Sequence, residues 1–275
     1  MSKRKFRSTV NTIPPPSPET SEFVLFGDSL TEWSFSEEIQ GFGLFLRQQY
    51  QHKIRIVNEG KAGYTSTRLK TDFTRIIHRA TSPAAAPTLL FTIFVGANDA
   101  CMIGDMEYVP WPLFAANIRG FIDTILTEHA MEDTKIVLIT PPPINGSAVE
   151  TKEDKSVREI EEINQLRKEG LRYKTYMSKK RYADGIMEIA KEYEETERIA
   201  GLNIWQDIVH AAVEEEGWQY DEQVPPGCGL LGAKSFPSGW FTDGLHLNVK
   251  GYGVLSKGLL ELVTAKWPEL APERL

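Results

Sequence analysis

From Phe23 onward the chain alternates short apolar runs with longer amphipathic segments, the pattern of a parallel sheet wrapped by helices. Phe23-Val24-Leu25-Phe26 predicts a buried strand ending at Gly27. Phe42 to Tyr50 predicts a helix, and Ile54 to Val57 a second strand that runs into a Gly-containing loop. Thr67 to Arg79 is expected to be helical, with Leu69, Phe73, Ile76 and Ile77 on one face. Leu89 to Val95 is the most apolar strand and belongs at the centre of a sheet covered on both faces. Leu113 to His129 predicts another helix, and Lys135 to Thr140 a fourth strand stopped by Pro141-Pro142-Pro143.

The second half is less regular. Residues 149–197 are highly charged; Val157, Ile160, Ile163 and Leu166 recur at helical spacing, as do Ile186, Ile189, Ala190 and Tyr193. Such a run reads as two solvated helices. Ile199 to Trp205 is expected as a fifth strand, and residues 207–242 as a Gly/Pro-rich stretch with scattered aromatics. A last helix over about Val249 to Lys266 takes Asn248 as its N-cap. The expected fold is α/β: a three-layer α/β/α sandwich on a five-stranded parallel sheet of order 2-1-3-4-5. Residues 1–21 read as a flexible tail and 22–275 as one domain, without internal repeat or linker.

Composition narrows the class. Of 275 residues 41% are hydrophobic and 25% charged, enough for a sizeable core and unlike a disordered or fibrous chain. Net charge is −7, although Lys3, Arg4, Lys5 and Arg7 crowd a basic, acid-free stretch over residues 1–18. The acidic remainder repels phosphate backbones and argues against a nucleic-acid partner. Cys101 and Cys228 make neither a disulfide framework nor a zinc pattern, and read as reduced thiols of a cytoplasmic protein. The longest apolar stretch, Leu89 to Ala97, is far short of the ~20 residues of a membrane span. Pro14-Pro15-Pro16 stands where a secretory signal would place an apolar run.

The candidate chemistry lies at strand ends. Strand one runs into Gly27-Asp28-Ser29-Leu30-Thr31, so Ser29 projects from the carboxyl edge, where open α/β sheets place their sites. Taken alone, Ser29 reads equally well as an N-cap. Strand two leads into Asn58-Glu59-Gly60-Lys61-Ala62-Gly63-Tyr64-Thr65, and strand three into Gly96-Ala97-Asn98-Asp99. In the expected order these three loops converge, with Gly63 and Asn98 on either side of Ser29. A glycine N–H approaches a ligand closely and an Asn amide carries two N–H donors, as an oxyanion hole requires. Singly, Gly63 is also an ordinary turn glycine and Asn98 an Asx-turn residue.

A base completes the set. Of the five histidines, His52 and His129 fall near helix ends, His78 closes a helix and His210 follows strand five as the one rival. His246 sits in Asp243-Gly244-Leu245-His246-Leu247, directly before the last helix, which starts at the same sheet edge. Asp243, three residues earlier, can turn back onto the second ring nitrogen. The alternative is that Asp243 and His246 merely cap that helix.

Together the segments Gly-Asp-Ser-Leu-Thr-Glu, Gly-Tyr-Thr-Ser, Gly-Ala-Asn-Asp-Ala-Cys and Asp-Gly-Leu-His-Leu resemble the ordered blocks of the GDSL esterases, the SGNH hydrolase superfamily, in particular the isoamyl-acetate-hydrolysing esterase branch. The resemblance spans about residues 22–265; segments 149–180 and 212–240 are longer than that branch requires. It implies the SGNH hydrolase fold. It makes Ser29 the nucleophile, His246 the general base and acid, and Asp243 its orienting partner. It makes Ser29, Gly63 and Asn98 the oxyanion donors. No Gly-x-Ser-x-Gly elbow is present, against the α/β-hydrolase alternative.

The implied reaction is hydrolysis of small uncharged carboxylic esters, acetate or short-chain, with no metal or organic cofactor. Trp33, Trp240 and Phe241 are the expected substrate walls. Lysophospholipids, acyl thioesters and acetylated sugars are alternative substrates, acyl transfer an alternative reaction, and a non-catalytic ligand-binding module the alternative class.

Overall fold

The computed structural model describes residues 20–146 and 155–275. The expected tail therefore lies outside the described residues except for its last two positions. Chain order is β1 (Glu22–Gly27), α1 (Ser29–Glu32), α2 (Phe42–Gln49), β2 (Arg55–Gly60), α3 (Lys70–Ala80), β3 (Thr88–Phe94), α4 (Trp111–Thr127) and β4 (Lys135–Ile139). It continues with α5 (Val157–Arg167), α6 (Leu171–Glu192), β5 (Ile199–Leu202), α7 (Ile204–Glu215) and α8 (Val249–Lys266). All neighbouring strands are parallel, in the order β2-β1-β3-β4-β5.

Helices cover both faces, which is why β1, β3 and β4 read as nearly continuous apolar runs. Period-two alternation sends Phe23 and Leu25 of β1 with Leu90 and Phe94 of β3 into a core closed by α2, α7 and α8. Val24, Phe26, Phe91 and Ile93 point the other way, into a core closed by α3, α4 and α6. There the Phe73 and Phe121 rings pack 4.5 Å apart against Phe26.

Two expectations need correction. The fifth strand does not reach Trp205: Asn203 accepts a hydrogen bond from Gln206 N–H at 3.1 Å and opens α7. Ile204, Ile208, Val209 and Ala212 then bury one face of that helix. The charged 149–197 segment is not simply solvated either. Helix α6 buries Tyr176, Lys179, Tyr182, Ala183, Ile186 and Ile189. Gly185 lies so close under Trp111 that an added Cβ would stand 1.9 Å from the indole, which accounts for a glycine in mid-helix. Among the described residues no helix is long and apolar enough to cross a membrane.

Candidate active site

Register explains how the loops meet. Gly27 at the end of β1 pairs with Gly60 on one side and Phe94 on the other, so the residues that follow emerge side by side at the carboxyl edge. Asp28, not Ser29, is the N-cap of α1: its carboxylate accepts Leu30 N–H at 3.0 Å. The Asp28 carbonyl accepts the Thr31 and Glu32 N–H groups at 3.1 and 2.9 Å. The cap sets Ser29 at the first helical position, 5% exposed, and its N–H has no backbone acceptor among the described residues.

Ser29 Oγ lies 2.9 Å from Nε2 of His246, and Nδ1 of His246 lies 2.6 Å from Asp243 Oδ2. The last two sit on a narrow turn. Phe241 bridges Leu247, and the Thr242 N–H donates to the His246 carbonyl at 2.9 Å. Asp243 Oδ1 accepts the Leu245 and His246 N–H groups at 3.0 and 2.8 Å, which orients its other oxygen at the imidazole. Burial pushes the Asp243 carboxyl up, but the His246 N–H, the His246 ring and the Leu245 N–H outweigh it and hold the group below the usual range. Asn145, beyond β4, braces the turn through the Gly244 carbonyl at 2.7 Å. Tyr252 of α8 donates its hydroxyl to the Leu30 carbonyl at 2.7 Å, tying α1 to the helix that follows His246.

Gly63 is exposed at φ +73°, a conformation that a side chain would strain. Its surroundings are fixed from two sides: Glu32 accepts the Ala62 N–H at 2.5 Å, and Arg68 donates to the Gly63 carbonyl at 3.0 Å. Half-buried Asn98 donates from Nδ2 to the Tyr64 carbonyl at 2.8 Å. Trp33 is 40% exposed with its ring centroid 4.3 Å from that of His246. Phe241 is half-buried against Phe236 at 5.1 Å. Trp240 is a correction: at 2% exposure it packs in the core beside Phe236 and offers no face to a ligand. His210, the rival base, stands exposed on α7 with its ring 6.2 Å from that of Tyr220.

Three ionisable groups beneath these loops escaped the sequence reading. Asp28 and Asp99 are fully buried, and burial pushes their carboxyls up to about 7 and about 6. Buried Lys179 of α6 donates to the Ala97 carbonyl at 2.5 Å. Its signal was present: Tyr176, Lys179, Ala183, Ile186 and Ala190 share one helical stripe, and a lysine on an apolar stripe faces inward. A hydroxyl against an imidazole that is itself held by a carboxylate can be deprotonated as it attacks an electrophile.

The model of the family GDSL-like Lipase/Acylhydrolase matches residues 23–259. The chain is 28% identical over 262 residues to the isoamyl acetate-hydrolyzing esterase of Saccharomyces cerevisiae, covering 92% of this chain and 90% of that one. Among solved structures, a lipolytic protein of the G-D-S-L family from Veillonella parvula superposes with TM-score 0.57 at 14% identity, over 89% of this chain and 99% of that one. A catalytic mutant of an acetylxylan esterase from Geobacillus stearothermophilus gives TM-score 0.56 at 17% identity, over 87% and 92%. These two likenesses concern the fold.

Proposed function

The chain belongs to the GDSL-like lipase/acylhydrolase family and is a carboxylic ester hydrolase; on that premise we propose that it hydrolyses small uncharged esters, acetates first, through Ser29, His246 and Asp243. The observation that carries this is the continuous relay from Ser29 Oγ to His246 Nε2 at 2.9 Å and from His246 Nδ1 to Asp243 Oδ2 at 2.6 Å.

Ser29 Oγ attacks the ester carbonyl while His246 Nε2 takes its proton, and Asp243 stabilises the imidazolium that forms. The carbonyl oxygen, now negative, is held by the Ser29 N–H at the start of α1, by the Gly63 N–H and by the second N–H of the Asn98 amide. The tetrahedral centre collapses, the alcohol leaves with the proton from His246, and an acyl-serine remains. Water, deprotonated by His246, attacks this ester; the acid departs and the proton returns to Ser29 Oγ. The yeast relative, an isoamyl acetate-hydrolyzing esterase, supports acetate esters as the substrate class.

The test is labelling with a fluorophosphonate alongside p-nitrophenyl acetate hydrolysis. The parent takes up one label on the peptide containing Ser29 and turns over the ester. Ser29→Ala keeps the fold, takes no label and loses hydrolysis; undiminished turnover by that variant overturns the assignment.

A further inference from the structure

Beneath the three site loops lies a buried charge cluster that the mechanism above does not use. Asp28 immediately precedes Ser29, Asp99 immediately follows Asn98, and Lys179 rises from α6 to join them. All three are withdrawn from solvent, with Lys179 at 3% exposure and both aspartates at 0%. Each side chain is fastened to a different loop. Asp28 caps α1 through the Leu30 N–H at 3.0 Å. Asp99 accepts the Ser66 N–H at 2.9 Å and the Ser66 hydroxyl at 2.5 Å, on the segment that carries Gly63, and Asn117 of α4 donates to that hydroxyl at 2.9 Å. Lys179 donates to the Ala97 carbonyl at 2.5 Å.

The last bond matters because the Ala97 carbonyl and the Asn98 N–H belong to one planar peptide. Fixing its oxygen fixes the plane from which the Asn98 side chain departs. Above that plane the Asn98 amide reaches the Tyr64 carbonyl, and the turn is closed by the Ala100 N–H on the Gly96 carbonyl at 3.1 Å and the Cys101 N–H on the Asn98 carbonyl at 3.0 Å. Burial pushes the Lys179 ammonium below the usual lysine range, and the nearby Cys101, Asp28 and Asp99 push it partly back; a buried ammonium is costly unless it is paired and hydrogen-bonded. A methionine would fill the same stripe position without these demands. The retained charge therefore needs a reason, and the carbonyl it grips supplies one.

We propose that Lys179 is a positioning residue for ester hydrolysis, which holds the Ala97–Asn98 peptide so that the Asn98 amide meets the oxyanion as it forms. The inference rests on the oxyanion role of Asn98 proposed above. It gives α6, from the charged segment, a part in catalysis without contact with substrate.

The experiment is a double-mutant cycle on p-nitrophenyl acetate with Lys179→Met, Asn98→Ala and both together. Misplacing one donor lowers kcat roughly 10- to 100-fold in Lys179→Met, with KM within about twofold of the parent. In the Asn98→Ala background the same substitution costs about twofold or less, because the group it positions is gone. Losses that multiply, or a change confined to KM, overturn the proposal. If Asn98→Ala leaves kcat intact, the oxyanion reading itself has failed, a result distinct from a multiplicative cycle. Because Lys179→Met leaves two buried aspartates without their cation, Asp28→Asn/Lys179→Met is compared with Asp28→Asn; the asparagine keeps the cap acceptor. Thermal midpoints establish folding of each variant. The pair retains the kcat deficit relative to Asp28→Asn alone. Recovery of kcat in the pair, or loss of the fold in both Lys179 variants, makes Lys179 a counter-ion only and overturns the positioning role.

Discussion

The side-chain amide of Asn98 donates to the carbonyl of Tyr64 at 2.8 Å, and this bond joins the loop after β3 to the loop after β2. An Asn amide has a second N–H. One donor thus locks the side chain while the other remains for a ligand, and the Gly63 N–H lies one residue from the locked carbonyl. With the proposed roles, Asn98→Ala lowers kcat roughly 10²- to 10³-fold and leaves KM near the parent value. Steady-state kinetics on p-nitrophenyl acetate check this; a change confined to KM contradicts an oxyanion role.

Asp243 reaches His246 by two routes, a side-chain contact with Nδ1 at 2.6 Å and a bond from the His246 backbone N–H at 2.8 Å. Asp243→Asn keeps a backbone acceptor but presents an amide to Nδ1, which disfavours the tautomer able to accept the Ser29 proton. Its side chain is 55% exposed, so water can take over part of the orienting task. The expected fall in kcat is roughly 10²-fold, below the ~10⁴-fold seen where such an aspartate is buried. Fluorophosphonate labelling slows in parallel; normal labelling rates would remove Asp243 from the relay.

Asp28 and Asp99 make stability depend on pH in the direction opposite to an ordinary surface carboxylate. Their carboxyls are raised by burial to about 7 and about 6, whereas the unfolded chain releases these protons at about 4. Below about pH 4 both states hold the protons and the stabilisation is complete; it is lost as pH rises through about 6 to 7, where the native state must ionise buried groups. Asp28→Asn cannot ionise there. The difference in thermal midpoint between parent and Asp28→Asn shifts in favour of the variant from about pH 5 to about pH 8. A constant difference across that range contradicts an elevated Asp28.

Which parts were legible in the sequence follows from what each residue's signal depends on. Strands β1 and β3 announce themselves because both faces are buried, so Phe23 to Phe26 and Leu89 to Phe94 contain almost nothing polar. Sheet order then brings Ser29, Gly63 and Asn98 to one edge, and the short turn from Asp243 to His246 needs only local geometry. Helix α7 was obscured because Ile204 and Trp205 extend the apolar run of β5, and only Asn203 marks the change of period. Trp240 is ambiguous in sequence for a different reason: an aromatic among glycines and prolines has the same appearance whether it lines a pocket or anchors a loop. Ser29 as a cap was the wrong alternative by one residue, since Asp28 does that task. Lys179 was readable in principle from its stripe, but the charge density of residues 149–197 drew the segment toward solvent.

Trp33 is exposed beside His246, its ring 4.3 Å from the imidazole and tilted by 45°. A flat apolar surface at that place suits the alcohol portion of an ester, where each buried methylene contributes about 0.8 kcal/mol, or about fourfold. Competing esters separate this role from one exercised on His246. If Trp33 supports the alcohol, Trp33→Ala lowers kcat/KM for isoamyl acetate roughly tenfold more than for methyl acetate, because the longer alcohol has more surface to lose. An equal loss on both esters places the effect on the imidazole instead, since His246 in its proposed role serves every substrate alike. Extending the acyl side in the same assay tests the preference for acetate: a parent enzyme that favours long acyl chains over acetate shifts the substrate class toward lipids, and Trp33→Ala then reports which end of the ester lies on the indole.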